Sequence, residues 1–389
     1  MKPYALRHYV CPISGESLEL CIIKSRKIAL DSDQLARLRR HRIDPDEVMT
    51  AVEEGILYSD AGGYWFPIVN FIPLFLDFQV DLQADFCERH RANYEVLRRL
   101  QSPGGSPRRG ETFVQKSFTR EWALLDLDVI SFGLTPEQRD FFVALELDWP
   151  PGFLERENLH ILEVGCGSGF ESASLCRVTH GLVFGFDLNL ALLQKGHLLA
   201  DNPLINNAVC SLFRLPLRER SFDLVYSSGV LHHTFSTIDA LREIARFRRD
   251  DGMLYVWVYG REDAGDTWMR RLKWLGADVI RPRLARLPAS LQNAVVRLLA
   301  RRHYRKYKKI GPVNRDKWRF EDSEHFIRDF WTPLYAHRQS FNEMMQLFAE
   351  MDMEYRLIDP KRYRDFMNIP LSGIGIRGVQ SSERRAALS

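Results

Sequence analysis

Leu159-His-Ile-Leu-Glu-Val-Gly-Cys-Gly-Ser-Gly169, followed after a helix-compatible stretch by Gly181-Leu-Val-Phe-Gly-Phe-Asp-Leu188, decides the fold of this chain. Ile161, Leu162 and Val164 read as a strand buried on both faces, running into glycines at 165, 167 and 169. Glycines there let a ligand approach the backbone, and the helix that follows points its N-terminus at that ligand. Residues 181–188 form a second apolar strand ending at Asp187, 22 positions after Gly165. A βαβ unit places an acid beside a ribose diol at that distance.

The dinucleotide fingerprint G-x-G-x-x-G would need glycine at 170, where this chain has Phe170. Glu163-Val-Gly-Cys-Gly-Ser-Gly169 instead resembles the nucleotide loop of class I S-adenosylmethionine (SAM) methyltransferases. Leu215-Pro216, Ser221-Phe-Asp223 and Val230-Leu-His-His-Thr234 resemble the ubiquinone-biosynthesis-like branch of that family. The resemblance implies an α/β fold: a Rossmann-like seven-stranded methyltransferase sheet with a helical insertion after the fifth strand. It also implies SAM as cofactor, S-adenosylhomocysteine as product, and no metal.

Upstream, Cys11-Pro12, Gly15, Leu18, Gly55-Ile-Leu57, Phe66-Pro-Ile68 and Phe71-Ile-Pro73 resemble a Trm112-like module, derived from a zinc ribbon. Its first knuckle carries Ser14 where a second cysteine belongs, and its second, around Ser59–Gly62, has no cysteine. Structural zinc needs four Cys or His ligands. Cys11 and Cys21 do not supply that set, so this domain is expected to hold no zinc.

The expected divisions are 1–78, the Trm112-like domain; 79–158, helical linker and lid; and 159–260, the SAM-binding core. A basic helical insertion or substrate cap follows over 261–340, then the last helix, final two strands and tail over 341–389. Apolar spacing over 32–54 predicts helix, strands are expected at 207–213 and 222–228, and 239–249 reads as helix. Asp250-Asp-Gly252 reads as a turn into a fifth strand ending at Tyr259. Residues 340–351 read as an amphipathic helix, 354–358 and 374–377 as an antiparallel edge pair, and the tail after Gly378 as disordered.

Composition bounds the function. With 389 residues, 45% hydrophobic and 27% charged, the chain is globular rather than disordered. No apolar run reaches the length of a membrane span, and Met1-Lys-Pro-Tyr-Ala-Leu-Arg-His8 has no apolar signal core. Six cysteines without a C-x-x-C pair fit a reduced, cytoplasmic protein. Net charge is +3, yet residues 261–320 hold 17 Lys/Arg against 5 Asp/Glu. That stretch reads as a solvated cap or as a surface for nucleic acid or for peripheral contact with anionic lipid.

The family resemblance assigns roles position by position. Gly165, Cys166, Gly167 and Gly169 surround the methionine part, and Glu163 orients their loop. Asp187 binds the ribose hydroxyls, and Leu188 packs on adenine. Ser211 and Leu212 border the base, with Ser211 standing where the branch usually carries an aspartate. Ser228 and Gly229 face the sulfonium. His232 and His233 are the catalytic candidates, because imidazole titrates near neutrality; the pair equally reads as a loop-shaping element. Phe118, Trp122, Trp331, Tyr335 and His337 are expected at the substrate pocket, with packed aromatic core as the plain alternative.

Three functions follow: methyl transfer to a small-molecule biosynthetic intermediate, methylation of tRNA, or a non-catalytic scaffold on the same fold. The acceptor atom (O, N, C or S) and the oligomeric state stay open, since fold does not fix function.

Overall fold

Short apolar runs, each ending at a glycine or a polar residue, build the larger of two sheets. The computed structural model describes residues 1–123, 134–261, 268–311, 313 and 315–380. Four strands form an N-terminal sheet: β1 (Glu19–Lys27), β2 (Thr50–Ser59), β3 (Tyr64–Val69) and β4 (Ile72–Pro73). Seven form the main sheet: β5 (His160–Val164), β6 (Leu182–Asp187), β7 (Ile205–Val209), β8 (Phe222–Ser228), β9 (Arg248–Tyr259), β10 (Met353–Leu357) and β11 (Gly373–Gln380). Their order is β10-β11-β9-β8-β5-β6-β7. β5 runs parallel to β6 and β8, and β6 to β7, whereas β11 is antiparallel to β9 and β10. Parallel neighbours need crossover helices that cover both faces. Ile161, Leu162, Val183, Phe184, Leu224 and Val225 are accordingly all fully buried.

Fourteen helices are present among the described residues. In the N-terminal half lie α1 (Ser32–Arg40), α2 (Pro45–Val48), α3 (Asp81–His90), α4 (Val96–Arg99), α5 (Glu111–Ala123) and α6 (Pro136–Leu147). The central crossovers are α7 (Phe170–Thr179), α8 (Leu192–Leu199) and α9 (Thr237–Ala245). The C-terminal part holds α10 (Trp268–Ala285), α11 (Ala289–Ile310), α12 (Phe320–Trp331), α13 (Phe341–Glu350) and α14 (Pro360–Met367).

Several expected boundaries move. Residues 51–54 belong to β2 rather than to a helix, because α1 stops at His41 and Pro45 opens the separate turn of α2. β7 starts at Ile205 and ends at Val209, since the Ser211 hydroxyl caps a 3-10 turn over Leu212–Arg214. α9 ends at Ala245 and β9 starts at Arg248, so Asp250-Asp-Gly252 lies inside a strand. α14 lies between the last two strands, a helix that the sequence pattern does not announce. β11 continues to Gln380, and the remainder of the expected tail lies outside the described residues.

The chain forms two compact units. The first comprises Met1–Arg108, Pro151–Tyr226 and Arg242–Gly252. Within it, Cys11 and Ser59 open two equivalent turns. The amide of Gly15 donates to Cys11 O and that of Gly63 to Ser59 O, each at 2.8 Å, with both glycines at left-handed φ (75° and 79°). A Cβ on Gly62 would strike Ser14 Oγ and come within 3.0 Å of Ser59 Oγ, so positions 14, 59 and 62 converge. Cys21 packs elsewhere, beside Ile56, Trp65 and Phe86. Among the described residues, no group of three or more His, Cys, Asp or Glu is placed to hold a metal ion.

The N-terminal sheet shares a core with β7 and α8. Phe75 N donates to Val209 O at 2.7 Å, and Leu74 bridges the same strand. Ile72, Leu74, Leu76 and Phe78 pack with Cys166, Leu192, Leu193 and Val209. Asn70 Nδ2 donates to Leu193 O at 2.6 Å, which seats the β3–β4 turn on α8. Contact there is so close that a Cβ on Gly196 would overlap the Asn70 carbonyl. Helix propensity alone favours Gly196→Ala by about 1 kcal/mol. Overlap with a backbone atom admits no rotamer escape and costs about 1–3 kcal/mol or more. The variant is therefore expected to unfold at lower urea; an unchanged or raised midpoint would show that this seat is loose.

Lys2 is buried in the same seam, donating through Nζ to Ile205 O at 2.6 Å and Leu199 O at 3.3 Å. Burial pulls its amine down to about 7, against a smaller upward pull from Cys176 and Asp201. A lowered amine pKa means that the unfolded chain binds the proton more tightly between the two values. Stability from this group therefore rises with pH above about 7, by at most ~1.4 kcal/mol per pH unit. Between pH 7 and 9 the wild type should gain Tm relative to Lys2→Met; parallel curves would place the proton elsewhere.

The second unit comprises Arg109–Pro150, Ser227–Leu241 and Met253–Ser389. In it α12 lies against α5, α10 and α11, while α13 covers β10 and β11. Phe142 of α6 packs with Tyr363 and Met367 of α14. Ser340 caps α13 through a reciprocal pair with Glu343.

Candidate functional site

In the first unit the glycine loop is held from below by a chain of buried polar side chains. Asn207 Nδ2 donates to Ser172 Oγ at 3.1 Å and to Cys166 Sγ at 3.3 Å, and the Ser172 hydroxyl donates to Glu163. Glu163, at the end of β5, is 1% exposed, so its carboxylate ties α7 to the loop rather than facing solvent. Neither Ser172 nor Asn207 stood out in the sequence. A signal was present: Asn206 and Asn207 are polar residues in a strand whose every position is buried. Gly185 leaves room for this chain, since a Cβ there would lie 2.6 Å from Asn207 Nδ2 and 2.7 Å from Ser172 Oγ. Burial and the nearby Glu163 push the Cys166 thiol far up, which leaves it a packed thiol and no nucleophile.

Gly165, Gly167 and Gly169 all take left-handed φ, at 83°, 56° and 84°. Such values suit glycine alone without strain. Gly167 N donates to Asp187 Oδ2 at 2.7 Å and Asn189 N to Asp187 Oδ1 at 2.8 Å. Asn189 Nδ2 returns to Gly167 O at 3.1 Å and completes the lock. Burial raises the Asp187 carboxyl, and the Asn189 and Gly167 amides pull it back only in part. Each carboxylate oxygen keeps a second lone pair, and a raised pKa marks an anion that gains from further donors. A ribose diol supplies two. α7 begins at Gly169 with no side-chain cap, so its first amides are presented toward the loop. These residues fit an adenosyl ligand carrying a carboxylate.

Leu188 packs partly buried beside Leu192 and Val209. Ser211 is 1% exposed and its hydroxyl accepts from Phe213 N at 3.3 Å. Arg108 adds what the sequence did not show: Nη1 approaches Ser211 Oγ at 3.5 Å and Nη2 donates to Phe213 O at 3.1 Å. Its guanidinium stacks 5.2 Å from the Phe213 ring and lies 3.6 Å from Asp77. The usual acid at position 211 is thus exchanged for a hydroxyl beside a cation. Leu212 opens the 3-10 turn that follows.

In the second unit, Ser228 Oγ donates to Glu146 Oε1 at 3.4 Å. Gly229 takes φ 80°, and a Cβ there would meet open space. The two histidines separate in role. His232 is fully buried, its ring 3.9 Å from that of Tyr259, and neither ring nitrogen has a hydrogen-bond partner among the described residues. Desolvation, with His233 and His337 adding repulsion, lowers it far below the usual imidazole range. It is a neutral packed ring. His233 Nδ1 lies 2.8 Å from Tyr335 O, and Nε2 lies 3.5 Å from Asp329 Oδ1. Asp329 Oδ2 accepts from Tyr259 Oη at 2.6 Å. Burial opposes the Asp329 anion, but His233 and the Tyr259 hydroxyl together hold its carboxyl below the usual range.

The expected pocket residues divide likewise. Phe118 meets the His233 ring at 5.1 Å, and His337 stacks on Tyr335 at 5.6 Å while its amide donates to His232 O. Trp122 packs on His325, which is 3.3 Å from Glu121. Trp331 instead joins Val296, Ala300 and Ile327 between α11 and α12, as the plain core reading has it. Asp329, Tyr259 and Glu146 are not among the site residues expected from the sequence. The i, i+4 pair His325/Asp329 on an otherwise amphipathic helix was the available cue.

Residues 162–256 match the family model described as a methyltransferase domain. A tRNA U34 carboxymethyltransferase from Pseudoalteromonas atlantica is 27% identical over 158 residues, covering 33% of this chain and 49% of that protein. The mouse arginine-hydroxylase NDUFAF5 is 35% identical over 106 residues, covering 27% and 29%. The chain spans about half or less of the length of these curated relatives. Among solved structures, magnesium protoporphyrin IX methyltransferase from Synechocystis PCC 6803 with bound SAH aligns at TM-score 0.40 and 15% identity, covering 70% of this chain and all of that one. Residues 162–256 are thus the part of this chain that is similar to a methyltransferase domain.

Proposed function

We propose that this protein transfers the methyl group of SAM to a small-molecule acceptor by in-line displacement. The observation that carries the reading is the locked loop: three left-handed glycines whose central amide is fixed by Asp187. Bound SAM supplies a methyl on a sulfonium leaving group, so the protein's task is alignment and, for a protonated acceptor, removal of a proton. Asp187 and the Asn189-braced loop hold the adenosyl part. His233, backed by Asp329 and Tyr259, is the group suited to take a proton at Nε2. Supporting a small acceptor, His233 is 2% exposed and flanked by Phe118. The N-terminal sheet, with its two paired turns, is read as a Trm112-like domain built into the same core.

A second reading, tRNA methylation, is favoured by the tRNA-directed activity named for the Pseudoalteromonas relative and by the basic stretch 261–320. Methyl-labelled SAM incubated with a low-mass metabolite extract and, separately, with bulk tRNA separates them. Label is expected in the low-mass fraction. Label in tRNA alone, with salt-sensitive retention on tRNA, would replace the first reading by the second. Label in neither, with SAM not bound, would leave the scaffold.

A further inference from the structure

We propose that the exposed face of α11 is a docking surface for an anionic lipid membrane, on which the protein lies peripherally. Between 289 and 310 there is no acidic residue at all. One face of α11 carries Leu291, Leu298 and Arg305 at seven-residue spacing, with Arg302 and Lys309 each four residues beyond Leu298 and Arg305. Residues so spaced share one side of a helix. That side is open: Leu291 is 53% and Leu298 67% exposed. The opposite side is closed, with Val296 and Ala300 fully buried against α12. α10 also exposes Leu275 (63%), Val279 (56%) and Arg283, and Arg286 is exposed just beyond its end. The one described acid on α10, Asp278, is already engaged by Arg338 at 2.7 Å and Arg281 at 3.4 Å.

Aliphatic side chains interleaved with cations on one helical face are what an interfacial helix needs: the apolar groups enter the acyl boundary while the cations meet headgroups. No described helix is long and apolar enough to cross a membrane, so the contact proposed is lateral. Nucleic acid suits the face less well. Bases are held by aromatic stacking, yet the rings of α11 turn inward. His303 lies 4.5 Å and Tyr307 5.7 Å from Phe326, and Tyr307 lies 5.1 Å from Trp318. Exposed leucines gain nothing from a phosphate backbone. A second copy of the chain suits it less still, because a two-fold interface would set the same arginines against one another.

The test is co-sedimentation of the full chain with phosphatidylcholine vesicles, with and without phosphatidylglycerol. Two double variants on exposed positions, L291S/L298S and R302E/R305E, accompany the wild type. Wild type should partition onto the anionic vesicles and only weakly onto the neutral ones. Loss of two cations near an anionic surface corresponds to about a thirty-fold fall in partition, and reversal of their charge to more. The leucine pair should lower partition by at least about tenfold. Both variants should keep wild-type SAM binding in buffer, which makes this result independent of the proposed acceptor. Three outcomes overturn the proposal. One is no sedimentation of the wild type with either vesicle. Another is retention on tRNA that R302E/R305E loses and L291S/L298S keeps, without vesicle binding. The last is a dimer by light scattering that L291S/L298S dissociates, again without vesicle binding.

Discussion

Asp187→Ala should lower SAM affinity by about a hundredfold or more while leaving the fold intact. The carboxylate accepts from Gly167 N and Asn189 N at 2.7 and 2.8 Å. Hydrogen bonds to a charged partner are worth about 1.5–3 kcal/mol each, so the two that a ribose diol donates span the loss. Removal acts twice: it deletes the acceptor for the diol and releases the loop whose left-handed glycines shape the cradle. Asp187→Asn separates the two effects. Its amide oxygen can still accept one loop amide, whereas its NH2 group faces a donor. Affinity should fall between wild type and alanine by isothermal titration. Binding by the alanine variant at wild-type strength would sink the cofactor assignment, and a lowered urea midpoint would instead mark Asp187 as a stability residue.

The glycine loop is readable in sequence because it depends on local backbone chemistry. Three glycines at alternating positions between an apolar run and a helix leave few other structures, and β5 and β6 emerge where both sheet faces bury their side chains. What holds that loop is not local. Asn207 reaches Ser172 across 35 positions and Arg108 reaches Ser211 across 103. No periodicity records such pairs; only their polarity within buried segments hints at them. The same reason governs the shifted boundaries. Residues 51–54 carry spacing compatible with a helix, and pairing with β1 makes them a strand. Long-range pairing overrides weak propensity there. Cys11, Ser14, Ser59 and Gly62 show the converse. Paired turns persist with their left-handed glycines although only one of the four residues is a cysteine, so the turn is encoded by Gly15 and Gly63 as well as by ligands.

The largest effect on turnover is expected in the second unit, at Asp329. His233 and Asp329 stand 3.5 Å apart, Tyr259 donates to the far carboxylate oxygen, and the buried His233 sits against these two half-buried partners. A positioned proton acceptor contributes about 10²–10⁴ in rate. Asp329→Asn keeps the shape and an acceptor for Tyr259 but removes the charge, so kcat should fall by about a hundredfold with the Kd for SAM unchanged. His233→Gln should fall comparably. Groups that act as one unit are non-additive, so the double variant should be no slower than the slower single. Additive losses would make the two residues independent, and wild-type kcat in either single variant would remove the pair from proton transfer. Stability supplies a further readout. A carboxyl held below its usual range contributes stability above the unfolded pKa of about 3.9, and loses it as pH falls through the lower folded value. Acid unfolding of Asp329→Asn should therefore be shallower below about pH 4. A change in acid unfolding without a change in kcat would make Asp329 a structural anion beneath Tyr259; loss of kcat at unchanged SAM affinity, with non-additivity toward His233, is the pattern that only a shared role in the reaction produces.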